Sequence, residues 1–179
     1  MDKKQLVALN KISQQMLEDM FSYQVNDVKV GFECIRPPFN DRFITLLAMG
    51  NGSYQAQIVL SFPTSIMEDI LSSVIPLAKT PEERDELVMT SIGELANTIA
   101  GEFANLPEIK EKYGILELFT PSVWDLNVDI KPHFLHSDGR TGQIGPVKTF
   151  FSVKKLKNID INSDKTDNID FSDLDELFT

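Results

Sequence analysis

Residues 90–101 read TSIGELANTIAG and give the strongest structural signal in the chain. A helix turns by about 100° per residue, so the large apolar residues of this stretch, together with one just before it and one just after it, fall on one side of a helix. These residues are Val88, Ile92, Leu95, Ile99 and Phe103. The opposite side carries Thr90, Glu94, Asn97 and Gly101. The pattern therefore predicts an amphipathic helix with one side in a core and a Glu/Asn side in water.

Both ends of this helix are marked in the sequence. Thr80 is a candidate N-cap, Pro81 suits the first helical position, and Glu83 completes a capping box. Pro107 disfavours a helical conformation for the residue before it, so the helix is expected to end near Asn105.

The Glu/Asn side is unusual because its two polar residues are flanked by small ones. The small residues are Gly93, Ala96, Ala100 and Gly101. A glycine inside a helix costs about 1 kcal/mol relative to alanine. One interpretation is a bare surface that lets another molecule approach Glu94 and Asn97 closely. The other is ordinary packing of small residues against a neighbouring element, with Glu94 solvated, and periodicity alone does not decide between the two.

Outward from this helix, the chain alternates between helical and strand-like patterns. Further helices are expected over 4–21 and 65–75. Strands are expected over 27–36, 42–49, 53–62, 115–130 and 146–156. Gly50-Asn51-Gly52 is expected to supply the positive φ angles of a tight hairpin, and residues 133–145 are read as a polar connection. This order of elements favours an α+β fold over a doubly wound sheet.

The composition limits the possible partners and compartment. Acidic residues outnumber basic ones by 27 to 17 in 179 residues, for a net charge of −10, which disfavours nucleic acid and anionic membranes as partners. The lone cysteine, Cys34, and the lack of any apolar run of about 18 residues suggest a cytoplasmic protein. Residues 158–179 carry seven acids against Lys165 alone, so we expect a domain over 1–157 and a flexible acidic tail over 158–179.

The helix resembles the signature helix of the CheC/CheX/FliY chemotaxis phosphatases. That signature is Asp or Ser, three residues, Glu, two residues and Asn, and here Thr90 takes the first position and keeps a hydroxyl. The GELAN core and the following IAG are most similar to the CheX branch. The segments 57–63 and 118–123 also resemble the family, so that the likeness covers about residues 3–156.

The resemblance implies a CheC-like fold, with long helices packed on an antiparallel sheet and an internal pseudo-duplication. It also implies dephosphorylation of a CheY-like response regulator. In that activity Asn97 would orient the attacking water and Glu94 would pair with the invariant lysine of the regulator. Thr90, Gly93 and Gly101 are the expected partner contacts on this helix. The regulator would supply Mg²⁺, so no cofactor of this chain's own is expected.

The number of signature helices in the chain predicts the number of its catalytic sites. In the N-terminal helix, Glu18 is followed three residues later by Phe21, so this helix has no Glu-x-x-Asn. One site per chain is therefore expected, as in the CheX type, which tends to be homodimeric. The competing hypothesis is a non-catalytic adaptor of the flagellar-switch kind that binds a regulator, because a fold does not fix an activity.

Two other motifs give little support for a metal site. His133 and His136 have an H-x₂-H spacing but no clear third ligand. Residues 160–171 imitate the start of a calcium loop, but Lys165 stands in place of its glycine and Phe171 in place of its glutamate. We therefore expect no metal bound by this chain.

The acidic tail contains a possible recognition segment. Phe171, Leu174 and Phe178 lie at i, i+3 and i+7, the spacing of a short amphipathic helix that forms on a partner. LDELF at 174–178 is similar to the core of the regulator-binding peptide of FliM and FliY switch proteins. Leu174 and Phe178 are thus candidate contacts that tether the regulator. The alternative is a tail that only adds solubility.

Overall fold

The computed structural model describes residues 3–25, 27–34, 41–64, 67, 78–127 and 139–156. Helices in these ranges are α1 (Lys3–Phe21), α2 (Pro81–Asn105) and α3 (Pro107–Tyr113). Strands are β1 (Val28–Cys34), β2 (Phe43–Gly50), β3 (Tyr54–Phe62), β4 (Glu117–Leu118), β5 (Ser122–Asp125), β6 (Gly139–Ile144) and β7 (Val147–Lys155). The helix expected over 65–75 falls mostly outside the described ranges, as do His133, His136 and the tail 158–179.

All the described strands join one antiparallel sheet. Its order is β1-β6-β7-β3-β2, and the far edge of β2 pairs first with β5 and then with β4. Helix α1 packs on β1, β6 and α2, whereas α2 packs on β2, β4, β5 and α3. The α+β class predicted from the order of elements is confirmed, and so are α1, α2 and the strands β1, β2, β3 and β7.

The main core lies between the two long helices and the sheet. Phe103 of α2 meets Phe151 of β7 edge-on, with ring centroids 4.9 Å apart. A smaller cluster is formed by strand residues that alternate with those of the main core. It contains Ile44, Val59 and Phe150, and Trp124 packs against it. Burial of this apolar surface is the main term that holds α2 in place on the sheet.

The predicted start of α2 is confirmed by its capping contacts. Thr80 Oγ1 accepts a hydrogen bond from Glu83 N at 3.2 Å, and the Glu83 carboxylate accepts one from Lys79 N at 2.7 Å. Pro107 ends α2 as expected. It also occupies the first turn of α3, a helix that was not predicted from the sequence.

The predicted hairpin between β2 and β3 is present, but its predicted mechanism is wrong. None of residues 50–52 has a positive φ. The turn is instead closed by Asn51, whose Oδ1 accepts hydrogen bonds from Ser53 N and Tyr54 N, both at 2.9 Å. The Asn51 amide also donates to Tyr113 O at 2.8 Å, which ties the hairpin to the end of α3.

Two other expectations about the sheet are corrected by the structure. The segment 139–144 forms β6, although it was read as part of a polar connection. Its glycines are needed for close packing, because a Cβ at Gly139 would lie 2.6 Å from Phe151 O. The strand expected over 115–130 is divided into β4 and β5, two short strands that pair with different parts of β2.

A partly buried ion pair fixes the β5 edge of the sheet. Arg42 donates from Nε and Nη2 to the Asp125 carboxylate at 2.6–3.0 Å, and Asp85 of α2 lies 3.6 Å from Arg42. Burial by itself raises the pKa of Asp125. The hydrogen bonds from Arg42 and from Asn127 N, together with the Arg42 charge, outweigh burial and hold the pKa of Asp125 below its usual value.

Asp125→Asn is expected to lower the free energy of unfolding at pH 7 by about 2 kcal/mol, because the partly buried Arg42 guanidinium loses its charged partner. A lowered pKa means that the wild-type carboxylate stabilises the fold above its unfolded pKa of about 4. The difference in unfolding free energy between wild type and variant should therefore shrink as the pH falls below about 4, in urea titrations at a series of pH values.

Asp27→Asn, which breaks an exposed ion pair with Lys29, is the control and should change the free energy of unfolding by less than about 1 kcal/mol. If the difference in unfolding free energy between wild type and Asp125→Asn stayed constant down to pH 2, the lowered pKa of Asp125 would be contradicted.

Candidate functional site

The exposed side of α2 carries the predicted polar residues. Thr90, Glu94 and Asn97 are exposed, whereas the apolar residues of the opposite side are buried in the core. Those residues are Val88, Ile92, Leu95, Ile99 and Phe103. The two-sided character that periodicity predicts for this helix is confirmed.

Glu94 and Asn97 point to solvent without partners in the described part of the chain. Neither side chain makes a hydrogen bond or an ion pair to a residue in the ranges described above. The one side-chain bond to Glu94 is on its backbone, where Thr98 Oγ1 donates to the Glu94 carbonyl at 2.9 Å. A carboxylate and a carboxamide one turn apart are thus both available to another molecule.

The small residues of α2 have a role that differs from the bare-surface interpretation. Ala96 and Ala100 are buried in the core, so they contribute no open surface beside Glu94 and Asn97. Gly93 and Gly101 are half-buried, and a Cβ at Gly93 would lie 3.4 Å from Val123 of β5. A Cβ at Gly101 would lie 3.9 Å from Leu118 of β4. The small residues therefore allow the β4–β5 edge to approach the helix.

This helix lies within a region that matches a known family. Residues 44–127 match the family model described as chemotaxis phosphatase CheX, a range that runs from β2 to the turn after β5 and includes all of α2. Over this segment the chain matches the CheX family.

Solved structures of CheX and CheC-like proteins share the fold. CheX from Vibrio vulnificus is 15% identical, with a TM-score of 0.59 over 86% of this chain and 99% of that one. A CheC-like protein from Shewanella sp. PV-4 is 16% identical, with a TM-score of 0.60 over 88% of this chain and 100% of that one. The Borrelia burgdorferi CheX–CheY–BeF₃–Mg²⁺ complex contains a chain that is 12% identical, with a TM-score of 0.57 over 83% of this chain and 97% of that one. No curated protein sequence matches this chain.

Acidic side chains outnumber basic ones along α2. Exposed carboxylates accompany Glu94 along α2, namely Glu82, Glu83, Asp85, Glu86 and Glu102. Arg84 is the only basic residue among positions 81–105. These carboxylates are distributed around the helix, and Asp85, which pairs with Arg42, lies on the side of α2 opposite Glu94.

The described residues offer no alternative centre for catalysis by a metal. No group of three His, Cys, Asp or Glu side chains among them could hold a metal ion. In the same ranges, no helix is both long enough and apolar enough to cross a lipid bilayer.

Two apolar residues at the β4 edge of the sheet are exposed, which the sequence pattern did not predict. Leu118 and Phe119, which fall within the strand predicted over 115–130, are 39% and 55% exposed. They are exposed because β4 is only two residues long and lies at the edge of the sheet. Leu116 of the same apolar run is buried, so the apolar pattern alone does not separate the exposed residues from the buried one.

Proposed function

We propose that this chain dephosphorylates the aspartyl phosphate of a CheY-like response regulator. The observation that carries the proposal is the exposed Glu94–Asn97 pair on a helix whose other side is fixed in the core, within the segment that matches the CheX phosphatase family. The Borrelia CheX structure supports a regulator as partner, because that protein is bound to CheY with BeF₃ and Mg²⁺.

In the proposed reaction, the role of this chain is to position the attacking water. A water oxygen attacks phosphorus in line with the aspartyl oxygen, the aspartyl O–P bond breaks, and carboxylate and inorganic phosphate are released. Phosphoryl transfer depends chiefly on positioning and electrostatics. The Asn97 carboxamide can accept a hydrogen bond from this water and donate one to a phosphoryl oxygen. Mg²⁺ and the phosphorylated aspartate belong to the regulator.

Glu94 has the role of fixing how the regulator docks. Its carboxylate pairs with the invariant lysine of the regulator, and because Glu94 and Asn97 share one side of α2, this ion pair brings Asn97 to the phosphoryl group. Thr90, Gly93 and Gly101 are proposed contacts along the same helix. The buried side of α2 keeps the two polar groups in a fixed relation before binding, which lowers the entropic cost of positioning the water.

The phosphatase and adaptor hypotheses differ in one simple measurement. Phosphate release from a phosphorylated CheY-like receiver domain is followed with and without this chain, at equal regulator concentration. A phosphatase accelerates release catalytically, at a chain concentration well below that of the regulator. An adaptor binds the regulator and leaves the rate unchanged, and that result would overturn the proposed activity.

We further propose a role for the acidic tail as a tether. Leu174 and Phe178 would bind the regulator and raise its effective concentration near Glu94 and Asn97, without touching the phosphoryl group. In this division, residues 1–157 form the phosphatase domain and 158–179 the tether. The chain would act as a cytoplasmic homodimer with one site in each copy.

Deletion of residues 158–179 is expected to raise KM for the phosphorylated regulator by about tenfold and to leave kcat unchanged, because avidity is lost but no catalytic group is. Steady-state phosphate release measures both constants. A full-length variant with Phe171, Leu174 and Phe178 changed to Ser keeps every tail charge and should raise KM equally. An unchanged KM in the deletion variant would leave the tail with a solubilising role only.

A further inference from the structure

A groove of about 410 Å³ lies at the end of the sheet where β2 turns into β3. Its lining includes the turn 50–52, Gln55 of β3, Glu117 and Phe119 at the β4 edge, and Leu156, which follows β7. We call it the hairpin groove. The proposed phosphatase reaction uses none of these residues, so the groove needs an explanation of its own.

The hairpin groove lies on the face of the sheet opposite α1 and α2. Gly50 pairs with Gln55 on one side and with Glu117 on the other, so these three residues share a face. Ala48 lies on the same face and packs against the smaller core cluster, whereas Met49 of the other face belongs to the main core beneath the helices. The groove is therefore separate from the Glu94–Asn97 pair on α2.

Exposed apolar side chains are concentrated at this end of the sheet. In the described ranges, the two most exposed large apolar residues are Ile115 and Phe119, at 78% and 55%. Phe119 lines the groove, and the Asn51 amide of the turn donates a hydrogen bond to Ile115 O at 3.0 Å. Exposed apolar groups beside a concave surface are typical of a binding site.

The walls of the groove are fixed by backbone pairing. Phe119 N donates a hydrogen bond to Ala48 O at 3.0 Å, and Leu156 N donates one to Ser53 O at 2.8 Å. A wall that is already ordered loses little entropy when it is covered, which favours binding.

The course of the chain indicates which segment fills the groove. Residues 157–179 continue from Leu156, which is itself part of the lining. Phe171, the first apolar residue of the recognition segment 171–178, is 15 residues further along the chain. A coil of about 15 residues spans about 20 Å, so this segment reaches the groove at an effective concentration on the order of millimolar. A second copy or another protein would need a comparable concentration in solution to compete.

The charges at this end of the sheet favour the same occupant. Residues 158–179 carry seven acids and one lysine. Lys154 and Lys155 are exposed at the end of β7, and Lys154 lies on the face of the groove because it pairs with Gln55. Glu117 is the one acid among the lining residues that the structure describes. The two lysines therefore attract an acidic segment whose apolar side chains enter the groove.

We propose that the recognition segment 171–178 docks in the hairpin groove of its own chain, with its apolar side chains against Phe119 and Leu156. The docking does not depend on the proposed activity. Its consequence rests on the proposed function, because a docked segment hides Leu174 and Phe178 from the regulator. The regulator would have to displace the segment before the tail could tether it, so the groove acts as an autoinhibitory site for the tether.

The test is the backbone order of the tail in the full-length chain, measured by nuclear magnetic relaxation of the amides. In wild type we expect order parameters above about 0.6 for residues 171–178, because a docked segment moves with the domain. Phe119→Ser should lower them below about 0.6, the range of a flexible segment. Leu118→Ser is the matched control, because Leu118 is the neighbouring residue but faces α2 at Gly101, and it should leave the tail ordered.

A second variant tests the same contact without changing the groove. Phe171, Leu174 and Phe178 are changed together to Ser in the full-length chain. The amide resonances of Asn51 and Glu117 should shift, whereas those of β1 at the opposite edge of the sheet should not.

Three results would overturn the docking. The first is a wild-type tail with order parameters below about 0.6. The second is an ordered tail that Phe119→Ser leaves unchanged, together with unshifted resonances in the tail variant. The third is order that is lost on dilution as a dimer dissociates, because the groove would then hold the tail of a second copy.

Kinetics separate this inference from the proposed function. Phe119→Ser should lower KM for the phosphorylated regulator by about threefold or more, because only the undocked fraction of the tail can bind the regulator. If the tail is released but KM does not fall, the proposed tether is wrong and the docking stands. If wild type releases no phosphate, the proposed activity fails, and the order parameters still decide the docking.

Discussion

Asn97→Ala is expected to lower kcat for dephosphorylation of the regulator by about 100-fold or more and to leave the fold intact. The carboxamide is the group proposed to hold the attacking water, and misplacement of a reacting group by about 1 Å already costs on the order of 100-fold. The Asn97 side chain is exposed and makes no hydrogen bond to a described residue, and alanine is a better helix former than asparagine. Single-turnover decay of the phosphorylated receiver domain at saturating chain concentration measures the effect directly.

Two comparison variants make this result specific. Asn105→Ala makes the same chemical change at another exposed asparagine of α2 and should keep full activity. Glu94→Ala should raise KM more than it lowers kcat, because its proposed role is docking. Asn97→Ala with wild-type kcat, or Asn105→Ala with an equal loss, would remove Asn97 from the mechanism.

Gly142→Ala is expected to lower the free energy of unfolding by about 3 kcal/mol. A Cβ at this position would lie 2.6 Å from Thr149 Oγ1 and 2.7 Å from Asn10 Oδ1, and closer still to Asn10 Nδ2. Asn10 and Thr149 are fully buried, and Thr149 Oγ1 donates to Asn10 Oδ1 at 2.7 Å. The added methyl group would therefore combine overpacking with damage to a buried hydrogen bond between α1 and the sheet.

Gly52→Ala is the matched control for this prediction. A Cβ at Gly52 would meet no atom within 4 Å, and its φ is not positive, so its effect should stay within about 0.5 kcal/mol. Urea unfolding followed by circular dichroism compares the two variants. Equal midpoints for Gly142→Ala and wild type would show that α1 can shift away from β6 at little cost.

The sequence predicted those helices and strands that are determined by residues close together in the chain. Helix α2 is the clearest case, because the Thr80 cap, the 3.6-residue periodicity and Pro107 all indicate the same helix. Strand β6 was missed because its glycines resemble a loop, and the reason for them is contact with α1 and β7, far away in sequence. The positive φ angles expected in the hairpin were not needed, because the Asn51 side chain closes the turn.

The candidate site was likewise predicted only in part. The exposure of Glu94 and Asn97 follows from helical periodicity, since the large apolar residues determine which side of α2 is buried. The burial of Ala96 and Ala100 and the exposure of Leu118 and Phe119 depend on where β4 and β5 pair with β2. Such long-range pairing leaves no periodic trace in the short segment 117–125.

The central claim is that Asn97 and Glu94 enter the regulator's own phosphorylation site. The most direct measurement is a crystal structure of this chain bound to its receiver domain with beryllofluoride and Mg²⁺. We expect the Asn97 carboxamide within hydrogen-bond distance, about 3 Å, of the beryllofluoride or of a water in line with it. We also expect the Glu94 carboxylate within about 4 Å of a lysine Nζ of the receiver domain. A receiver domain bound elsewhere, with Asn97 and Glu94 left in solvent, would contradict it.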